Sequence, residues 1–206
     1  MMAFFEPSAP RAPLPPPAWQ APPVSAIGSA VPLQRFLVRT DSVVVALTRV
    51  VVYPSGCWFG FRVTARRSGL DRADRRRLRA AFLGEYPDSL EPLPPDEPFR
   101  CGIRFAGGAT VTSVDPPPWW DPTSPLRPEG PVLVEYGALG THVEPDGLWC
   151  GPAYWLWPLP PPQPFLLVVD WPAAGVRQAE VELDGAVIVA AGEAAEPLWP
   201  DDGHRD

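Results

Sequence analysis

The sequence predicts a mainly β domain: two antiparallel sheets packed face to face, about eight strands in all, with one short middle helix and one C-terminal helix. Three observations lead there. Apolar residues recur at every second position in several segments, turn residues separate those segments at hairpin spacing, and no strand–helix–strand rhythm interrupts them. The 32 prolines exclude an all-helical bundle, because each lacks a backbone donor and carries a fixed φ. The alternative is an α+β fold in which two helices cover an open antiparallel sheet.

Residues 1–32 are rich in Pro, Ala and Ser and have almost no periodicity. They are expected to form an extended or disordered arm. Trp19 offers that arm an anchor, either to the body or to a partner. The ordered domain is expected to span 33–200, followed by an acidic tail at 201–206.

Residues 34–40 suit a short strand or a helical turn, and Asp41-Ser42 is a turn signal. Residues 43–53 are dense in β-branched side chains, which favour a strand over a helix. Pro54-Ser55-Gly56 turns the chain. From residue 57 to 66, Cys57, Phe59, Phe61, Val63 and Ala65 face one way, while Trp58, Gly60, Arg62, Thr64 and Arg66 face the other. That alternation marks an antiparallel strand packed on one side. Residues 71–83 suit a helix capped by Asp71, with Ala73, Leu78, Ala81 and Phe82 as a sparse apolar stripe. Its Arg75 and Arg76 read as a solvated face or as a patch for an acidic partner or a phosphate.

A second hairpin follows a proline-rich loop. Phe99, Cys101, Ile103 and Phe105 alternate with polar or small residues, Ala106-Gly107-Gly108 turns, and 109–114 returns. Residues 115–131 read as a long loop, and its adjacent Trp119 and Trp120 are either a cap on the sandwich or a surface site. Residues 131–136 suit a strand, ended by a turn at Gly137-Ala138-Leu139-Gly140.

The run GLWCGPAYWLWPLPPPQPFLLVVDWP then holds four of the nine tryptophans. Its prolines force a strand before Pro158, an extended link through Pro164, and a new strand over 165–170, as a hairpin or a crossover between sheets. Trp155 and Trp157 are either core packing or the wall of a ligand groove. Residues 177–183 alternate again. Asp184 is placed to cap a last helix running to about residue 196, stopped by Pro197 and anchored by Leu198 and Trp199.

All 17 basic residues are arginine, with neither lysine nor asparagine present, as GC-rich coding produces. The net charge of −7 argues against nucleic-acid binding. Cys57, Cys101 and Cys150 are isolated, and an odd count with no CxxC points to reduced thiols in a cytoplasm. The opening MMAFFEPSAPRAPLPPP lacks a long apolar core, so neither a signal peptide nor a membrane anchor is expected.

Taken together, VVVYPSGCWFGFRVTAR, FRCGIRFAGGATV, YWLWPLPPPQPFLLVVDWPAAGV and LDGAVIVAAGEAAEPLW resemble an uncharacterised family of actinobacterial proteins. The resemblance spans roughly residues 33–200, is most specific in the WLWPLPPP…WP block, and implies a source and a compact body but no catalytic or binding residue.

Motifs for chemistry are sparse. There is no phosphate loop, GxGxxG or GxSxG, and four closely spaced zinc ligands are missing, so no metal or cofactor is expected. His142 and Cys150 are a candidate base and nucleophile for a hydrolytic or small-molecule pocket. Asp170, Glu180, Glu182 and Asp184 read as a solvated face. The expected function is a non-catalytic, cytoplasmic protein-interaction module, with Trp119, Trp120, Trp155, Trp157, Arg75 and Arg76 as candidate binding residues. A protein partner is expected, nucleic acid and membrane are not, and a homo-oligomer or a structural role in a larger assembly is compatible with the sequence.

Overall fold

The β-branched run Val43–Tyr53 (β4) turns through Pro54 and Ser55 into Gly56–Arg66 (β5), and the two strands pair antiparallel along their whole length. The computed structural model of the chain describes residues 15–66, 98–114, 127–144 and 147–199. Before this hairpin come Ala26–Ile27 (β1), Ser29–Val31 (β2) and Arg35–Arg39 (β3). After it come Arg100–Arg104 (β6), Thr110–Thr112 (β7), Val132–Glu144 (β8), Gly147–Trp157 (β9), Phe165–Trp171 (β10) and Val176–Leu183 (β11). A helix, Gly185–Glu193 (α1), and a last short strand, Glu196–Pro197 (β12), close the described chain. Among the described residues there are more strands than the eight expected, because the arm and the C-terminal segment contribute short ones. The helix expected over 71–83 lies outside the described residues. No described helix is long and apolar enough to cross a membrane.

Two sheets make the body. The first runs β2–β4–β5–β9–β8, with β3 on the same edge of β4 as β2; the second runs β11–β10–β6–β7. Both are antiparallel, as alternation with one polar face predicts. Cys57, Phe59, Phe61, Val63 and Ala65 all point inward and are buried. They meet the second sheet through edge-on rings, with Phe59 and Phe165 at 6.5 Å and Phe61 and Phe99 at 5.7 Å between centroids. Such pairs add about 0.5–1.5 kcal/mol each beyond the area they bury.

The tryptophan–proline run is the crossover. β9 ends at Trp157 in the first sheet, and β10 begins at Phe165 in the second. The link between them is pinned by α1. A Cβ on Gly185 would collide with the carbonyls of Pro161 and Gln163, so the helix start lies directly on the proline link. Asp184 caps that start, its carboxylate accepting from the Ala186 N–H at 2.9 Å, as the sequence predicts.

Two expectations need correction. The Gly137–Gly140 stretch is not a turn, because β8 runs straight through it. Gly137 and Gly140 take positive φ, and the register against β9 slips once on each side of Ala138. These are bulges. They fall where β9 carries Pro152, which has no donor to offer the ladder. The first bulge also turns the Tyr136 carbonyl toward the Trp58 indole, whose N–H donates to it at 3.0 Å. The second correction concerns the end of the chain. α1 stops at Glu193, since Glu196 and Pro197 pair with Ile27 and Ala26. Leu198 and Trp199 do not anchor the helix: both are exposed, Trp199 by 67%.

Gly137→Ala forces a Cβ into the left-handed region, at a cost of about 1–2 kcal/mol. Gly107→Ala, at an open turn position with no neighbour within 4 Å, leaves stability within about 0.5 kcal/mol. Urea denaturation of the two variants checks the backbone there, and equal midpoints would contradict the left-handed conformation of Gly137.

Candidate functional site: the outer face of the first sheet

Period two places Trp58 on the face of β5 that points away from the core. The pairing Trp58↔Trp155 and Val134↔Trp155 puts the Trp155 ring on that same outer face, and Trp157 follows two residues later. Outward residues are ordinarily wet. Here Trp155 is 0% exposed and Trp157 7%. With Val132 they form a second apolar cluster, separate from the sandwich core and flanked by Trp19, Tyr53, Trp58 and Val134.

The cover is the N-terminal arm. The Trp155 indole N–H donates to the Ala18 carbonyl at 3.0 Å. The Trp19 ring meets Trp157 edge-on, with centroids 6.1 Å apart, and the Arg127 guanidinium lies 5.1 Å from the Trp157 ring centre. Gln20 N–H closes a turn onto the Pro17 carbonyl, and Ala21 is buried. Tyr53 packs edge-on against Trp155 at 5.8 Å. One atom fits poorly: the buried Trp19 Nε1–H has no acceptor among the described residues. The described part of the arm, from residue 15, thus lies along the body, its Trp19 in contact with it.

The other end of the same face is basic. A cavity of about 470 Å³ is lined by Arg35, Arg39, Arg62 and Arg66, together with Phe36 and Thr64. Arg39 stacks on Phe36 at 3.8 Å, and Arg62 on Trp149 at 4.7 Å. The His142 ring stacks on the same Trp149, with centroids 4.5 Å apart and planes 12° from parallel.

His142 and Cys150 do not meet. His142 pairs with Trp149, the residue before Cys150, so successive side chains of β9 carry them to opposite faces. Cys150 shares the inner face with Val63, where burial, helped by the negative charge of Glu135, pushes its thiol up to about 12. Burial raises Cys57 and Cys101 further still. A thiol held protonated is a poor nucleophile. Of the carboxylates, Asp170 pairs with Arg100 at 2.9 Å, Glu180 with Arg104 at 3.4 Å, and Asp184 caps α1. Among the described residues no group of three or more His, Cys, Asp or Glu is placed to hold a metal.

Of the residues singled out from the sequence, Trp155 and Trp157 are brought together under the arm, while Trp119, Trp120, Arg75 and Arg76 lie outside the described residues. Sequence reading missed Arg39 and Phe36 altogether. It placed Arg62 on the outer face but gave it no partner. Comparison of the chain with protein-family models, with curated proteins and with solved structures finds no match in any of the three.

In the native chain at pH 8, an aromatic disulfide reagent is expected to modify the buried Cys57 and Cys101 only over hours and the half-buried Cys150 first, and all three at once after denaturation. Reaction of Cys57 or Cys101 within about a minute in the folded protein would contradict their burial.

Proposed function

We propose that this chain is a non-catalytic interaction module that binds a proline-rich, aromatic-bearing segment of a partner protein in the groove its own arm fills. The observation that carries this reading is the hydrogen bond from Trp155 Nε1 to the Ala18 carbonyl beside the Trp19–Trp157 contact. An indole donor on a peptide carbonyl, with flat rings against a proline run, is how aromatic-lined grooves hold proline-rich ligands. Three successive prolines, Pro15, Pro16 and Pro17, have few conformations to lose on docking, which favours such a ligand entropically.

The arm is an imperfect ligand, since its orphaned indole N–H carries a desolvation cost of about 1–3 kcal/mol. A partner segment with phenylalanine at the Trp19 position avoids that cost. The arm nevertheless competes strongly, because tethering gives it an effective concentration of about millimolar or more.

The test uses the peptide PLPPPAWQAPP, residues 13–23, titrated into the chain lacking residues 1–23. Saturable binding is expected, weakened at least about tenfold in the intact chain by the tethered competitor. A Trp→Phe change in the peptide is expected to bind more tightly. A shortened chain that keeps its β circular dichroism but binds no peptide would sink the proposal. If the shortened chain does not fold, the intact chain carrying Trp19→Ala takes its place, with the same two outcomes.

A further inference from the structure

The basic end of the outer face is a different site from the arm groove. On the second sheet, Arg100 pairs with Asp170 and Arg104 with Glu180. On the first sheet, Arg39, Arg62 and Arg66 form no ion pair among the described residues. They line one cavity with Arg35, and a single carboxylate, Asp41, shares its wall. Four guanidiniums against one carboxylate is an unusual concentration of positive charge on a chain whose net charge is −7. Clefts lined by one sign of charge focus the field and draw counter-ions in.

Two of these guanidiniums are also held in place. The Arg39 guanidinium carbon sits 3.8 Å from the centre of the Phe36 ring and that of Arg62 4.7 Å from the Trp149 ring, on which His142 also stacks. A guanidinium held over an aromatic ring by cation–π attraction still has N–H donors in a fixed fork to offer. That fork matches two oxygens of a phosphate. The floor is set by the strands. Thr40 Oγ1 accepts from the Val43 N–H at 2.9 Å, and the Arg66 N–H donates to the Ser42 carbonyl at 2.8 Å, which fixes the turn between β3 and β4 against the end of β5. The cavity, about 470 Å³, falls within the roughly 300–1,000 Å³ typical of small-ligand sites.

We infer that this cavity binds a small polyphosphate-bearing molecule, its phosphate oxygens held by the forks of Arg39 and Arg62, with Arg66 and the Thr64 hydroxyl alongside. The size of the cavity, about 470 Å³, suits a small molecule rather than a long acidic peptide. The site does not depend on the arm groove, whose aromatic cluster shares none of these arginines.

Calorimetric titration of the intact chain with inorganic tripolyphosphate tests this. One ion per chain is expected, with affinity falling as salt rises from about 50 mM to about 200 mM. Arg39→Gln and Arg62→Gln are each expected to weaken binding by about tenfold or more, while Arg104→Gln leaves it unchanged. All three side chains are solvent-accessible, so the variants are expected to melt close to the wild type. No saturable binding, binding indifferent to Arg39→Gln and Arg62→Gln, or tighter binding of octaglutamate than of tripolyphosphate would each overturn the inference.

Discussion

Trp155 points out of the sandwich and yet touches no solvent. The rest of the outer face depends on that contradiction. A large indole on an outward strand position must either remain wet or be covered, and its N–H must find an acceptor when covered. The arm supplies both, with its turn over the ring and the Ala18 carbonyl on the N–H. Among the described residues there are therefore two apolar clusters: the core between the sheets and the smaller one between the first sheet and its own N-terminal segment.

The two clusters are joined through one strand. β9 alternates Tyr154 and Leu156 inward with Trp155 and Trp157 outward, so it serves the core and the groove with successive residues. The chain then crosses to the second sheet through its proline link, held by the start of α1. Beside β9, the bulged β8 accommodates the missing donor of Pro152 and offers the Tyr136 carbonyl to Trp58. Displacing the arm would change what covers the groove while leaving the sandwich core intact. A scaffold with a removable cover suits binding.

Much of this was legible in the sequence. The inward set on β5 is the alternating set, because burial of one face is what produces period two. The break between β9 and β10 was legible because proline excludes itself from a central ladder, though not whether it turns a hairpin or crosses between sheets, and Asp184 because a cap acts within one turn. The bulged glycines were not legible: positive φ serves a turn and a bulge equally well, and only the partner strand decides between them. The docking of the arm was legible only as one of two alternatives for Trp19. Nothing periodic marks residues 15–21, and their anchor lies more than a hundred residues away at Trp155. The arginine cavity depends on the register of β3 against β4 and of β4 against β5, which no local pattern encodes.

The central claim is that the arm seals the Trp155 indole, and hydrogen exchange of the tryptophan side-chain N–H groups measures it directly. With Trp155 assigned by Trp155→Phe, its Nε1–H should exchange slowly in the intact chain and become fast when residues 1–23 are removed. The backbone amides of β5 should stay protected in both. Free exchange of that indole in the intact protein, with the β5 amides still protected, would show an uncovered ring and contradict the account.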